Sequence, residues 1–316
     1  MVDYTERQCA IGIDVGGTKC AAGLIALDDG RVLARRLQPT RPERGGAPVL
    51  ADVIAFVQSL QEEAKRLSVL VGSIGIGLCE LVGPAGKVLS EATVCWKEIP
   101  VIDWIREGSQ LLVFLDADVR AAARGEAHFG AGRGLSSFLY VTVGTGISAS
   151  LVVNQSPYAG ARGLTGTFAS SDGLIAGHDG DLVAGPPLEQ FAAGPAIAAR
   201  FATERIGFDG AAPDVLTLAG AGDAVARSIV TSAGQALGAA IAQLVNVLDP
   251  EAVVIGGGLG LAEGLYRDSL ELAMRKHVYS ELHHDVRLLS AQLGNDAGMI
   301  GAAIGAAFVE GTKGHA

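Results

Sequence analysis

The sequence predicts an α/β fold made of two duplicated units, and three observations carry that expectation. Short apolar runs ending in glycine alternate with longer stretches of helical spacing. The strand–turn–strand stretch "AIGIDVGGTKCAAGLI" has a later counterpart in "FLYVTVGTGISASLVV". "VGSIGIGLC" near residue 75 is matched in the same way by "AVVIGGGLG" near residue 255. A device that recurs in the same order is the mark of duplication.

Each element follows from its local pattern. "CAIGIDVG" is a buried strand and "KCAAGLIAL" the next. The turn Asp28–Gly30 leads into a third strand, "RVLARRLQ". From Val49 to Leu67 the spacing is helical, with Val53, Phe56, Val57, Leu60 and Ala64 on one side. "SIGIGL" is a further strand, and Asp118 to Phe129 reads as a helix. Ser228 to Leu248 is apolar but interrupted by Ser232, Gly234, Gln235, Gly238 and Gln243. That pattern fits a buried helix and not a membrane span, and Gly234 and Gly238 permit close packing on it. The boundary is expected near residues 108–111, giving domains 1–110 and 111–298. The last helix, Met299 to Val309, is expected to return to the first domain with the rest of 299–316.

Composition narrows the function. The 316 residues are 49% hydrophobic and 18% charged, with a net charge of −10. Such a chain has a core, and its charge has the wrong sign for nucleic acid or an anionic membrane as main partner. Nucleotide binding stays open, because backbone N–H groups hold phosphates without positive side chains. Cys9, Cys20, Cys79 and Cys95 show no paired spacing, as in a reducing compartment. "MVDYTERQ" is polar and unlike a signal peptide, so the expected location is cytoplasmic.

The glycine turns carry the first chemical signal. In "DVGGTK", Gly16 and Gly17 let a bulky anion approach the backbone and permit positive φ. Thr18 adds a hydroxyl, Lys19 a cation, and Asp14 a carboxylate for a hydrated Mg²⁺. Gly144, Thr145 and Gly146 repeat the device. A single such turn is more simply a hairpin; two matched turns, one carrying an acid, favour a phosphate site. Gly256, Gly257 and Gly258 follow a strand and precede a helix, where a nucleotide could lie against bare backbone. Neither a Walker loop nor a dinucleotide fingerprint in βαβ context is present.

Together "IGIDVGGTK", "LDADVRAAARGEAHFGAG", "VTVGTGIS", "LEQFAAGPAIAARF", "VVIGGGL" and "DAGMIGAA" resemble the ROK family of sugar kinases, within the wider actin, hexokinase and Hsp70 superfamily. The resemblance covers nearly the whole chain. It implies two α/β domains around a cleft, ATP and Mg²⁺ as cofactors, a small-molecule sugar acceptor, and a homodimer. The family's Asn-Asp-Ala-Asn motif is matched to Leu115, Asp116, Ala117 and Asp118, which makes Asp116 the expected base. A sugar hydroxyl needs such a base as the phosphorus–oxygen bond forms. The plainer reading is a helix cap, for which Asp118 is the more natural candidate.

The acceptor side departs from the family. The sugar-binding asparagine becomes Leu115, and "Gly-Glu-Ile-Gly-His" becomes Gly166, Thr167, Phe168, Ala169 and Ser170. The family's cysteine loop for zinc is absent, so no structural zinc is expected; His178 stands alone there. Glu189 matches a retained acid that could hold a hydroxyl or amine. Glu80 stands where the family has a Pro-Gly turn and is a candidate for an ammonium group, with a solvated loop acid as the alternative. Thr93 and Trp96 lie in the "ATVCW" segment that lines the sugar side, although Trp96 serves equally well as packing. Losing partners for buried hydroxyls costs roughly 1–3 kcal/mol each. The resemblance therefore implies an acceptor unlike glucose, such as an amino sugar or a cyclitol, as in the family's kanosamine and C7-cyclitol kinases. A regulator of the family would carry a DNA-binding segment before Asp14. A non-catalytic sugar or nucleotide sensor is the remaining alternative.

Overall fold

The computed structural model describes residues 8–176 and 182–313. Strands β1 (Gln8–Val15), β2 (Lys19–Ala26), β3 (Val32–Pro39), β4 (Leu70–Leu78) and β5 (Leu112–Ala117) come with helices α1 (Gly46–Leu67), α2 (Val101–Ser109) and α3 (Asp118–Phe129). There follow β6 (Ser137–Val143), β7 (Ile147–Val153), β8 (Ser156–Pro157), β9 (Gly173–Ala176) and β10 (Leu182–Gly185). Helices α4 (Glu189–Ala192), α5 (Gly194–Glu204), α6 (Ala212–Gly220) and α7 (Ala224–Leu248) precede β11 (Ala252–Gly256). The chain ends with α8 (Leu265–His277), β12 (Arg287–Ser290) and α9 (Ala297–Lys313).

The first sheet has the order β3-β2-β1-β4-β5 and the second β12-β11-β6-β7-β8. Read from the other edge, the second order repeats the first, with the glycine hairpin between the equivalent strands. In each sheet the hairpin strands precede strands paired in parallel, β1 to β4 and β11 to β6. A two-stranded ribbon, β9 with β10, stands apart.

The compact units differ from the expected domains. One comprises residues 1–134, 150–165 and 295–316; the other comprises 135–149 and 166–294. Thus β5 and α3 belong with the first unit, although the sequence placed the break before them. The reason is pairing: β5 continues the first sheet alongside β4, from Ser73 opposite Leu112 to Leu78 opposite Ala117. Helix α9 does return, as expected, and packs on β1, β4 and α3. Glycines make that contact close. A Cβ at Gly75 would lie 1.8 Å from the Ala302 carbonyl oxygen, and one at Gly301 would lie 1.7 Å from that of Ala121.

The first unit's core gathers Ile11, Ile13, Leu24, Leu50, Leu60, Ile74 and Ile76, all essentially inaccessible to water. Trp96 is fully buried within it, so packing is its role. The second unit's core is built around α7. Gly234 and Gly238 there face the Tyr266 and Leu270 carbonyls of α8, which a Cβ would meet at 2.4 and 2.1 Å. The two glycines serve this helix pair. Among the described residues only α7 is long and apolar enough to cross a membrane, and half of its most apolar stretch is buried inside the protein.

Candidate active site

In the first unit, the β1–β2 hairpin closes with the Gly16 N–H donating to the Lys19 carbonyl at 3.0 Å. Buried Thr40 braces it: its hydroxyl donates to the Gly16 carbonyl at 2.6 Å and its N–H to the Thr18 carbonyl at 3.0 Å. Thr40 was not singled out in the sequence, because its partners are 22 and 24 positions away. Gly16 and Gly17 do not adopt the positive φ that the sequence allowed. Their use is proximity, since a Cβ at Gly17 would lie 3.0 Å from the Thr93 methyl. Lys19 donates to Asn295 at 3.2 Å.

Asp14 stands at the end of β1, next to the start of α9; a Cβ at Gly298 would lie 2.5 Å from Asp14 Oδ2. Burial pushes its carboxyl up to about 6, against the pull of Lys19. Asp118, the first residue of α3, is pushed up to about 7. Burial is the main cause there, and the negative charge of Asp14 comes next. One Asp118 oxygen accepts the Val119 N–H at 2.6 Å. Both aspartates keep a partly exposed face. Two carboxylates held close together and pushed upward by burial suit a divalent cation or proton transfer.

Asp116 has a different environment from the one the sequence suggested. Its Oδ1 accepts from Arg120 Nε at 2.5 Å and its Oδ2 from Arg124 Nη2 at 2.7 Å. Oδ1 also accepts the Ala117 N–H at 2.9 Å. The side chain is 8% exposed. With both oxygens held by guanidinium groups, this carboxylate at the end of β5 is a counter-ion that ties the strand to α3. The signal was available: Arg120 and Arg124 follow Asp116 by four and eight residues, on the same helical face. Read two places later, the Asn-Asp-Ala-Asn pattern falls on Ala117, Asp118, Val119 and Arg120.

Other expected acceptor contacts also move. Leu115 is a core residue of the first unit, and it lines a surface cavity of about 440 Å³ with Gly86, Ile99 and Ile102. Its side chain projects from β5 on the opposite face from that of Asp116. Glu80 is 4% exposed, and its carboxylate accepts the N–H groups of Ala92, Thr93 and Val94 at 2.9, 2.6 and 2.9 Å, plus the Ser90 hydroxyl. Four donors saturate it, so it folds the 90–94 loop and leaves nothing for an ammonium group. Through that loop it holds Thr93 against Gly17.

In the second unit, the Gly144 N–H donates to the Gly146 carbonyl at 3.0 Å, and the Gly194 N–H anchors the Gly144 carbonyl at 2.9 Å. A Cβ at Gly146 would lie 3.1 Å from Glu189 Oε2, which puts Glu189 beside this turn. Thr167 and Ser170 are exposed, in one short turn. The positive φ falls at Gly257, at 80°. A Cβ there would meet the Val143 carbonyl oxygen at 2.4 Å, while the space at Gly144 and Gly258 is open. Bare backbone beside open space at both turns fits a nucleotide. His178 lies outside the described residues.

Two sheets of one strand order, each with a glycine hairpin, define an actin-like α/β protein. The chain belongs to the ROK family, whose model matches residues 10–307. It is 30% identical to a glucokinase of Halalkalibacterium halodurans, over 92% of each chain. It is 31% identical to an N-acetylmannosamine kinase of Escherichia coli, over 93% of this chain and 97% of the relative. A solved ROK glucokinase from Streptomyces griseus, in complex with glucose and AMPPNP, superposes with a TM-score of 0.78 at 27% identity, over 95% of this chain and 99% of its own. A ROK hexokinase from Thermus thermophilus gives 0.78 at 30% identity, over 96% and 99%.

Proposed function

We propose that this protein is an ATP-dependent kinase that phosphorylates a hydroxyl group of a sugar or sugar-like molecule, with Asp118 as the general base. The observation that carries the reading is the state of Asp118. It heads α3 with a partly open face, and its proton affinity is raised to about 7 beside a second carboxylate. A base with that affinity takes a proton near neutral pH and can hold it. Asp116, two residues earlier, is neutralised by arginines and serves as structure.

The residues fit the cofactors. When bound, ATP supplies the transferable phosphoryl group, and Mg²⁺ offsets its charge. Asp14 would hold the metal through water, since one or two carboxylates are the usual protein share of a Mg²⁺ site. In the second unit, the Gly144–Gly146 turn with Gly257 and Gly258 would offer bare backbone to a phosphate; in the first, the Gly16–Gly17 turn would offer the same. Asp118 then removes the acceptor's proton as the new phosphorus–oxygen bond forms, and ADP leaves.

The relatives phosphorylate glucose and N-acetylmannosamine by their names, so the acceptor belongs to that chemical range. Ala117 where the shifted motif has asparagine, and Thr167 where the family has glutamate, support an acceptor that asks fewer polar contacts than glucose. A cyclitol or a modified amino sugar fits, although Glu80 is not the group that would bind an amine. A coupled ADP-release screen over glucose, N-acetylmannosamine, amino sugars, deoxy sugars and cyclitols tests this. Acceptor-dependent release is the expected result. Tight binding of a sugar with no ADP release from any acceptor would favour the sensor reading instead. A homodimer is the assembly we propose, to be checked by light scattering.

A further inference from the structure

We infer that Arg120 is a positioning residue that joins the base-bearing turn of α3 to two loops that shape the acceptor's place; this rests on the kinase reading above. Arg120 is 2% exposed, and all three of its guanidinium nitrogens are used. Nε bonds Asp116 at 2.5 Å, Nη1 donates to the Gly163 carbonyl at 3.1 Å, and Nη2 to the Val82 carbonyl at 2.6 Å. The two loops are thereby pinned to the helix two residues after Asp118.

They also touch each other. Gly163 has φ 80°, and a Cβ there would lie 2.2 Å from the Val82 carbonyl oxygen and 2.7 Å from Gly83 Cα. Val82 follows Glu80, whose carboxylate folds the 90–94 loop and sets Thr93 against Gly17. One continuous set of contacts thus runs from the glycine turn through Thr93, Glu80 and Val82 to Arg120 and the head of α3. Glu80 and Arg120 both lie close enough to Asp118 for their charges to act on it, so an alcohol brought to Asp118 has the loops they hold as neighbours within the unit. A guanidinium is suited to the task because its planar fork reaches a carboxylate and two carbonyls at once, which an ammonium group does not.

The test is Arg120→Lys, which keeps the charge beside Asp116 but cannot span both carbonyls, alongside Gly163→Ala, which forces the same loops apart. Because the Gly163 carbonyl accepts from Arg120, Gly163→Ala shifts that one bond but leaves the Arg120 and Asp116 side chains themselves unchanged; both variants are assayed by ADP release with the acceptor that gives the highest rate in the screen. Displaced loops predict an acceptor KM raised about tenfold or more, with the ATP KM within about twofold of wild type. Both variants should show the same split. A merely structural role would lower the active fraction and leave both KM values alone; that result, or an unchanged acceptor KM in folded Arg120→Lys, overturns the inference. If Arg120→Lys does not fold, Gly163→Ala decides. Absence of acceptor-dependent ADP release from wild type would overturn the kinase reading and this inference with it.

Discussion

The two glycine hairpins occupy equivalent places in sheets of the same strand order, yet their surroundings differ. The first has Asp14 at its strand end, Lys19 on the turn and Thr40 bracing it from below. Asp118, at the head of the helix that follows its sheet, feels the charge of Asp14. The second is bare: the space at Gly144 is open, Gly194 anchors its backbone, and Glu189 beside Gly146 is the acid next to it. One scaffold thus received titrating groups in the first unit and exposed backbone in the second. Proton chemistry needs carboxylates whose affinities are pushed upward by burial. Holding phosphate needs N–H groups and the absence of side chains.

Four substitutions probe this difference between the units. The largest effect is expected at the counter-ion of the first unit. Asp116→Ala leaves the buried Arg120 and the part-buried Arg124 guanidinium groups without their counter-ion and should lower stability by about 3–5 kcal/mol, read by denaturant unfolding. In the second unit, Gly257→Ala must hold φ 80° with its Cβ against Val143. It should cost about 1–3 kcal/mol and raise the KM for ATP more than that for the acceptor. If it changed only the acceptor KM, the division between the units would be wrong.

Asp118→Asn should stabilise the unliganded protein. Its folded affinity of about 7 lies above the ordinary 3.8, so between those values the native state holds a proton that the unfolded chain has released. Stability therefore falls as pH rises through that window and levels off above about 7. Asp14, raised to about 6, acts in the same direction over a narrower range. At pH 8 the asparagine variant should be more stable by on the order of 1–2 kcal/mol, with a flatter pH slope in thermal melts. The smallest effect is Thr40→Val, which removes the bond to the Gly16 carbonyl and should cost about 1 kcal/mol.

Much of the fold was legible because local pattern decided it. The helices at 118 and 49 and the repeated strand–glycine turns follow from spacing alone. The domain boundary was not, because β5 joins the first sheet by pairing with β4, a contact that no local pattern reports. In the candidate site, Asp14 and the glycine turns were singled out by their residue types. Asp116 and Asp118 stand two residues apart at the head of the same helix, so residue type alone does not separate them; the arginines that pair with Asp116 were visible at helical spacing. The saturation of Glu80 was hidden, since its donors are backbone N–H groups of a loop that the carboxylate itself folds.

The central claim is that Asp118 takes the proton while Asp116 holds the helix together. Steady-state ADP release by Asp118→Asn and Asp116→Asn, each normalised to its folded fraction, tests it directly. Asp118→Asn should lose about 10²–10⁴-fold in kcat, and Asp116→Asn should stay within about tenfold of wild type. Full turnover in Asp118→Asn, with the loss in folded Asp116→Asn instead, would contradict it.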